Sequence, residues 1–214
     1  VSTNAPQATF GGGAQDAFIF RLDPSLSTLV ATYYGGTGTD SGYGVQFDSN
    51  GQVFVAGSTA SSDLPMWGTS FQASYGGNAD GYVLRAAADL SQFLSSTCVG
   101  TSANDQCFFV QLDPSDEVYV VGQTHGNYPV SAGVYSNPGS SQFIQKLDHD
   151  LSTSQWSTRI GSGAGDEDIA PSAFLVSDCG QIYFAGSGGT VNHFVLADNS
   201  TTLGLPVTTD AFQS

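Results

Sequence analysis

The feature that most constrains this chain is an internal repeat. Gly57, Gly122 and Gly186 stand 65 and 64 residues apart, and the aromatics Phe18, Tyr82 and Phe143 stand 64 and 61 apart. Three stretches open the units: Asp16-Ala-Phe-Ile-Phe-Arg-Leu22, Asp80-Gly-Tyr-Val-Leu-Arg85 and Gln142-Phe-Ile-Gln-Lys-Leu147. Each leads through a turn to a second run (27–34, 91–98, 152–160), then through a Gly-rich loop ending in Asp40, Asp105 or Asp166. Two further short runs follow, 43–48 with 53–57, 108–113 with 118–122, and 173–176 with 182–186. Self-similarity at such a period means one supersecondary unit copied along the chain, each copy burying its apolar face against the next.

The runs are rich in Val, Ile, Phe, Tyr and Thr and are divided by Asp, Asn, Gly, Pro and Ser, the composition of short strands and tight turns. Tyr43, Val45 and Phe47 alternate with a period of two, and Asp48-Ser-Asn-Gly51 and Ser177-Asp-Cys-Gly180 supply residues that accept a positive φ in a hairpin. Four antiparallel strands per unit predict an all-β chain of β-propeller blades. The units run over 16–79, 80–140 and 141–214, with 1–15 as an inter-blade linker. Closed propellers use about four to eight blades, so three units predict part of a larger propeller, completed by further blades of the same protein or assembly. The third unit carries an insertion that includes 191–196, expected to be an extra strand or a loop.

Composition narrows the function. Four Lys and Arg against 19 Asp and Glu give a formal charge of −15, which repels phosphate backbones and anionic lipid, so nucleic acid and membrane surfaces are poor partners. No stretch approaches the ~20 apolar residues of a membrane-spanning helix. Val1 to Asn4 show none of the features of a signal peptide, which leaves either prior processing or a segment of a longer chain.

Asp16-Ala-Phe-Ile-Phe-Arg-Leu-Asp-Pro, Ala31-Thr-Tyr-Tyr-Gly-Gly-Thr-Gly-Thr-Asp40, Gly51-Gln-Val-Phe-Val-Ala-Gly-Ser-Thr59 and Asp210-Ala-Phe-Gln213 resemble the SBBP repeat, a bacterial β-propeller repeat. Residues 166–189 followed by 205–213 are similar to a block of very large surface proteins that end in a gliding-motility-associated or type IX secretion sorting domain. The family pattern usually has Trp where Ser187 stands here. The resemblance implies an exported protein, extracellular or on the bacterial outer surface, and implies no catalytic motif.

No G-x-S-x-G, H-E-x-x-H or Cys/His metal spacing occurs, and His125, His149 and His193 fall at non-equivalent repeat positions. The expected function is therefore non-catalytic: a scaffold or interaction module of a cell-surface adhesin or filament. Glycan binding through the loop aromatics Trp67, Tyr75, Tyr128 and Tyr135 is the alternative, and a hydrolase with its site in a central channel is the least favoured. No cofactor is required, although Asp40, Asp105, Asp166 and Asp168 offer carboxylates for Ca²⁺; the competing role is to accept backbone N–H bonds and fix turns. Cys98 and Cys107, across one loop, are candidates for a disulfide or for a pair of buried thiols; Cys179 has no obvious partner.

Overall fold

The computed structural model describes residues 1–188 and 201–211. The inserted segment at 191–196, His193 and the last residues of the SBBP-like ending lie outside the described residues. Twelve strands run in order: β1 (Ala17–Leu22), β2 (Leu29–Tyr34), β3 (Asp40–Phe47), β4 (Val53–Thr59), β5 (Asp80–Ala86), β6 (Phe93–Val99), β7 (Asp105–Leu112), β8 (Val118–Thr124), β9 (Gln142–Leu147), β10 (Ser154–Ile160), β11 (Ala170–Val176) and β12 (Ile182–Ser187). All pair antiparallel with their sequence neighbours inside a sheet. The chain is all-β and built of propeller blades.

The sheets do not begin where the sequence units begin. Two complete four-stranded blades, β3-β4-β5-β6 and β7-β8-β9-β10, are flanked by the two-stranded sheets β1-β2 and β11-β12. Each complete blade thus joins the last two strands of one sequence unit to the first two of the next. The short 35–39 loop between β2 and β3 steps from one sheet to the next, whereas the long 60–79 loop joins β4 to β5 within a sheet.

Two glycines and their aromatic partners account for much of the repeat's regular spacing. Gly57 pairs with Tyr82 and Gly122 with Phe143. A Cβ on Gly57 would stand 2.7 Å from the Tyr82 ring, and one on Gly122 would stand 2.5 Å from the Phe143 ring. Each aromatic therefore lies over a strand glycine, and a side chain there would displace it.

The core lies between sheets, not within one. Ile19, Tyr34, Tyr82, Leu84 and Phe93 fill the space between β1-β2 and the first complete blade. Phe54, Val83, Val110, Val120, Phe143 and Leu147 fill the space between the two complete blades. Tyr119, Val121, Ile144, Phe174 and Val176 join the second blade to β11-β12. Hairpin turns place Leu90 and Leu151 at φ of 58° and 62°, where β-carbons are disfavoured, and both side chains are buried. Burial offsets the local cost, of order 1–3 kcal/mol, of that conformation.

Candidate functional site: loop junctions and open blade faces

At the first blade junction four residues form one unit. Gln7 accepts from the Gly35 amide (3.1 Å) and donates to Asp16 Oδ2 (3.4 Å), which also accepts from the Gly11 amide (2.6 Å). Asp40 Oδ2 accepts from the Gly36 amide (2.9 Å) and from the Ser61 hydroxyl (2.6 Å). The next junction repeats this with Gln72, Asp80, Gly100 and Asp105. Gln72 accepts from the Gly100 amide (3.2 Å) and donates to Asp80 Oδ2 (2.9 Å), which also accepts from the Gly76 amide (2.9 Å). Asp105 Oδ2 accepts from the Thr101 amide (2.7 Å) and hydroxyl (2.8 Å).

In all four aspartates Oδ2 takes the hydrogen bonds, while Oδ1 is buried without a partner. Asp40, Asp80 and Asp105 are fully buried. Burial, reinforced by the nearby Asp105 carboxylate against the pull of the Gly76 amide, raises Asp80 to about 6. Glycine is required in between: a Cβ on Gly35 would stand 2.8 Å from Asp16 Oδ1 and 2.9 Å from Asp40 Oδ2, and one on Gly100 would stand 3.0 Å from Asp80 Oδ1.

The third junction differs. Asn137 stands where Gln7 and Gln72 stand, Ser141 replaces the first aspartate, and one carboxylate remains. That carboxylate is Asp168, whose Oδ2 accepts from the Ser162 amide (2.7 Å). The expectation that Asp166 is the equivalent of Asp40 and Asp105 is corrected: Asp166 is exposed. The loop between Gly161 and its anchoring aspartate is two residues longer than in the other units, and Gly163 and Gly165 take positive φ within it. The shared five-residue spacing therefore points to the wrong carboxylate.

A second constellation, missed in the sequence, staples neighbouring turns. One ligand atom each of Asp48, Asp116 and His149 lies within 4.8 Å of the others. His149 Nε2 meets Asp48 Oδ2 at 2.9 Å, Asp48 Oδ1 accepts from the Asn50 and Gln52 amides (2.9 and 2.7 Å), and Asp116 accepts from Ser49. Their mixed nitrogen and oxygen donors suit a borderline metal, but the atoms already have partners and tie the β3–β4 turn to turns of the next blade. His149 Nδ1 faces Asp150 at 3.7 Å, so this imidazole sits between the Asp48 and Asp150 carboxylates. His125 pairs with buried Glu167 at 2.6 Å.

The aromatics set aside for sugar are not gathered into one platform. Tyr128 is buried, stacked on Phe143 at 3.9 Å and 8° and donating to Gln145, so its face is not available for stacking. Trp67 packs edge-on to Phe93 and accepts a hydrogen bond from Ser96, both on β6. Tyr135 is exposed and accepts from Thr158 on β10 of the other complete blade. Tyr75 is half-buried beside Asp80; burial and then that carboxylate push its hydroxyl up.

Of the two readings of Cys98 and Cys107, a disulfide or a pair of buried thiols, the structure has the second: both are free and buried. They sit on strands of different sheets, and Cys107 Sγ points at Gly81, 2.5 Å from where a Cβ there would stand. Burial and the Asp80 carboxylate raise Cys98 to about 12, and burial pushes Cys107 well above its ordinary value.

The largest unpartnered feature is the pair of open blade faces. Among the described residues β1 pairs only with β2 and β12 only with β11. Repeat positions that are buried inside the array are exposed at these ends. Phe18, Phe20, Leu22 and Leu26 are 51%, 55%, 43% and 74% exposed, against 0%, 0%, 0% and 1% for Tyr82, Leu84, Ala86 and Leu90. Leu26 holds the disfavoured φ of 57° with no burial to offset it. On β3, Val45 is 68% exposed where its equivalent Val110 is 2%. At the other end Tyr183 is 55% exposed where Phe54 is 0%. An apolar groove lined by Phe18, Phe20, Tyr43 and Val45 runs along the first open face.

No curated protein matches the chain. Residues 31–65, which hold most of the outer strand of one blade, the first hairpin of the next and the start of its long loop, match the SBBP family, described as a beta-propeller repeat, and this supports that repeat type for the blades.

Proposed function

We propose that this chain is a non-catalytic section of a larger propeller, an interaction scaffold whose open faces are covered by further blades of the same repeat type. One observation carries the reading: among the described residues, repeat positions that are apolar and buried between blades are exposed at the two ends. The ends are complementary in kind. Among the described residues, one presents the aromatic Phe18 on a third strand paired on one side only, the other presents Gly186 on a second strand paired on one side only, and interior blades join such strands through a Gly–aromatic pair. Apolar patches of this extent, ordered by a repeat, are interaction surfaces.

The finer reading follows from the sequence resemblance of 166–189 and 205–213. On this reading the propeller is part of a large exported surface protein of the gliding-motility-associated, type IX secretion kind, extracellular or on the bacterial outer surface, where it serves adhesion or a filament. The acidic, Gly- and Ser-rich loops suit such a soluble exterior.

Light scattering of the 214-residue chain across a concentration series tests the scaffold reading. Reversible association that is abolished by Phe20→Glu is the expected result. A chain that stays monomeric at every concentration, with the same mass in Phe20→Glu, contradicts it.

A further inference from the structure

The two junctions built from Gln7, Asp16, Gly35 and Asp40, and from Gln72, Asp80, Gly100 and Asp105, each hold two aspartates; carboxylate oxygens of both stand about Gly35 at the first, and those of Asp80 stand about Gly100 at the second. Four carboxylate oxygens, Oδ1 of each aspartate, are buried with no donor. Leaving a buried charged acceptor without a partner is costly. Among the described residues no cationic side chain pairs with these four aspartates. The four Lys and Arg side chains are engaged elsewhere: Arg21 on the Ala88 carbonyl, Arg85 on Asp150, Lys146 on Asp113 and Arg159 on the Ser140 carbonyl. Where the third junction keeps one carboxylate, Asp168 is not left with such an oxygen. Single buried oxygens without a hydrogen-bond donor occur elsewhere, Ser140 Oγ at the third junction and Glu117 Oε2 among them, while Glu167 Oε1 faces His125; among the described residues, two aspartates left this way at one junction occur only at the first two junctions.

We propose that each two-aspartate junction binds a hard divalent cation, Ca²⁺ being the ion its chemistry fits, so that the chain holds two such ions and none at the third junction. The donors are carboxylate oxygens where Gly-rich loops meet strands, with backbone carbonyls and water to complete the shell. Ca²⁺ accepts six to eight oxygens in irregular geometry, whereas Mg²⁺ demands a near-ideal octahedron and Zn²⁺ prefers His and Cys. The bound ion neutralises each carboxylate pair and ties the loop after β2 or β6 to the loop that precedes β1 or β5, so it locks one blade to the next.

The experiment is metal stoichiometry by elemental analysis after chelator treatment, dialysis against millimolar Ca²⁺ and gel filtration, with the thermal midpoint as a second readout. Two Ca²⁺ per chain are expected, falling to one in Asp105→Asn and to none in Asp40→Asn/Asp105→Asn, and unchanged in Asp168→Asn. Ca²⁺ should raise the wild-type midpoint by several degrees and the double variant's not at all. Asp80→Ser, which copies the residue present at the third junction, gives the one-ion result should Asp105→Asn fail to fold. Retention of no Ca²⁺ with no thermal response overturns the proposal. So does a stoichiometry that the aspartate variants leave unchanged, or a midpoint that responds to acid but not to Ca²⁺, which would assign the pairs a shared proton.

Discussion

The same repeat position behaves differently in the interior and at the ends of this molecule. Tyr82 and Phe143 each lie over a strand glycine with a neighbouring blade covering them, while Phe18, at the equivalent place on β1, packs its ring near those of Phe20 and Tyr33 and is half exposed. The residue type is conserved along the chain's own repeats, so sequence alone gives all three the same role. What differs is the presence of a preceding blade. In a propeller the energy of a blade therefore resides largely in its neighbours, as expected when each repeat cannot bury its own apolar face.

This contrast can be broken by substitution. Tyr82→Ala and Phe143→Ala each empty a fully packed interblade site and should cost about 3–5 kcal/mol, read as a shifted denaturant midpoint. Phe18→Ala should cost less than about 1 kcal/mol, because a half-exposed ring gives up little buried area. Equal losses at the three positions would show that the end is as well packed as the interior.

Acid should act mainly through turn carboxylates within blades. For Asp148, burial pushes the carboxyl up, but bonds from Ser152 and Thr153 outweigh it and hold the value below the ordinary one. Asp113 is lowered in the same way, with Lys146 as the chief partner against burial. Groups whose folded pKa is depressed stabilise fully above the unfolded value, near 4, and lose that contribution as pH falls through the folded value. The unfolding midpoint should therefore drop progressively below about pH 4, and Asp148→Asn should flatten the acid limb of a stability–pH profile. An unchanged acid limb in that variant would remove Asp148 from the account.

A smaller effect separates the thiols. Cys179 lies exposed in the turn of the last described hairpin, while Cys98 and Cys107 are buried. An aromatic disulfide reagent should titrate one thiol per native chain and three after unfolding. Three fast-reacting thiols in native conditions would contradict the tight packing between the first and second complete blades.

Much of the fold was legible in the sequence because strand formation here is local: β-branched and aromatic runs between Asp/Gly turns mark all twelve strands. Blade phase was not legible, because a periodic pattern has no origin. The short 35–39 loop suggests that β2 and β3 belong together, yet it crosses between sheets while the long 60–79 loop does not. The paired aspartates were half legible. Asp40 and Asp105 stood out after their Gly-rich loops, but Asp16 and Asp80 were read only as strand openings, and Asp166 took the place of Asp168 because the third loop is longer. Gln7, Gln72 and Asn137, each 65 residues from the next, were a readable signal of the junction that a search for catalytic or metal motifs does not look for.

The central claim is that β1 and β12 are interior strands lacking their neighbours. Hydrogen exchange resolved to individual strands measures this directly. In the dilute monomeric chain the outward amides of β1 and β12 should exchange orders of magnitude faster than those of β4 and β5, which are paired on both sides, and should become protected as the chain associates. Protection of β1 and β12 equal to that of β4 and β5 in the dilute monomer would contradict the account.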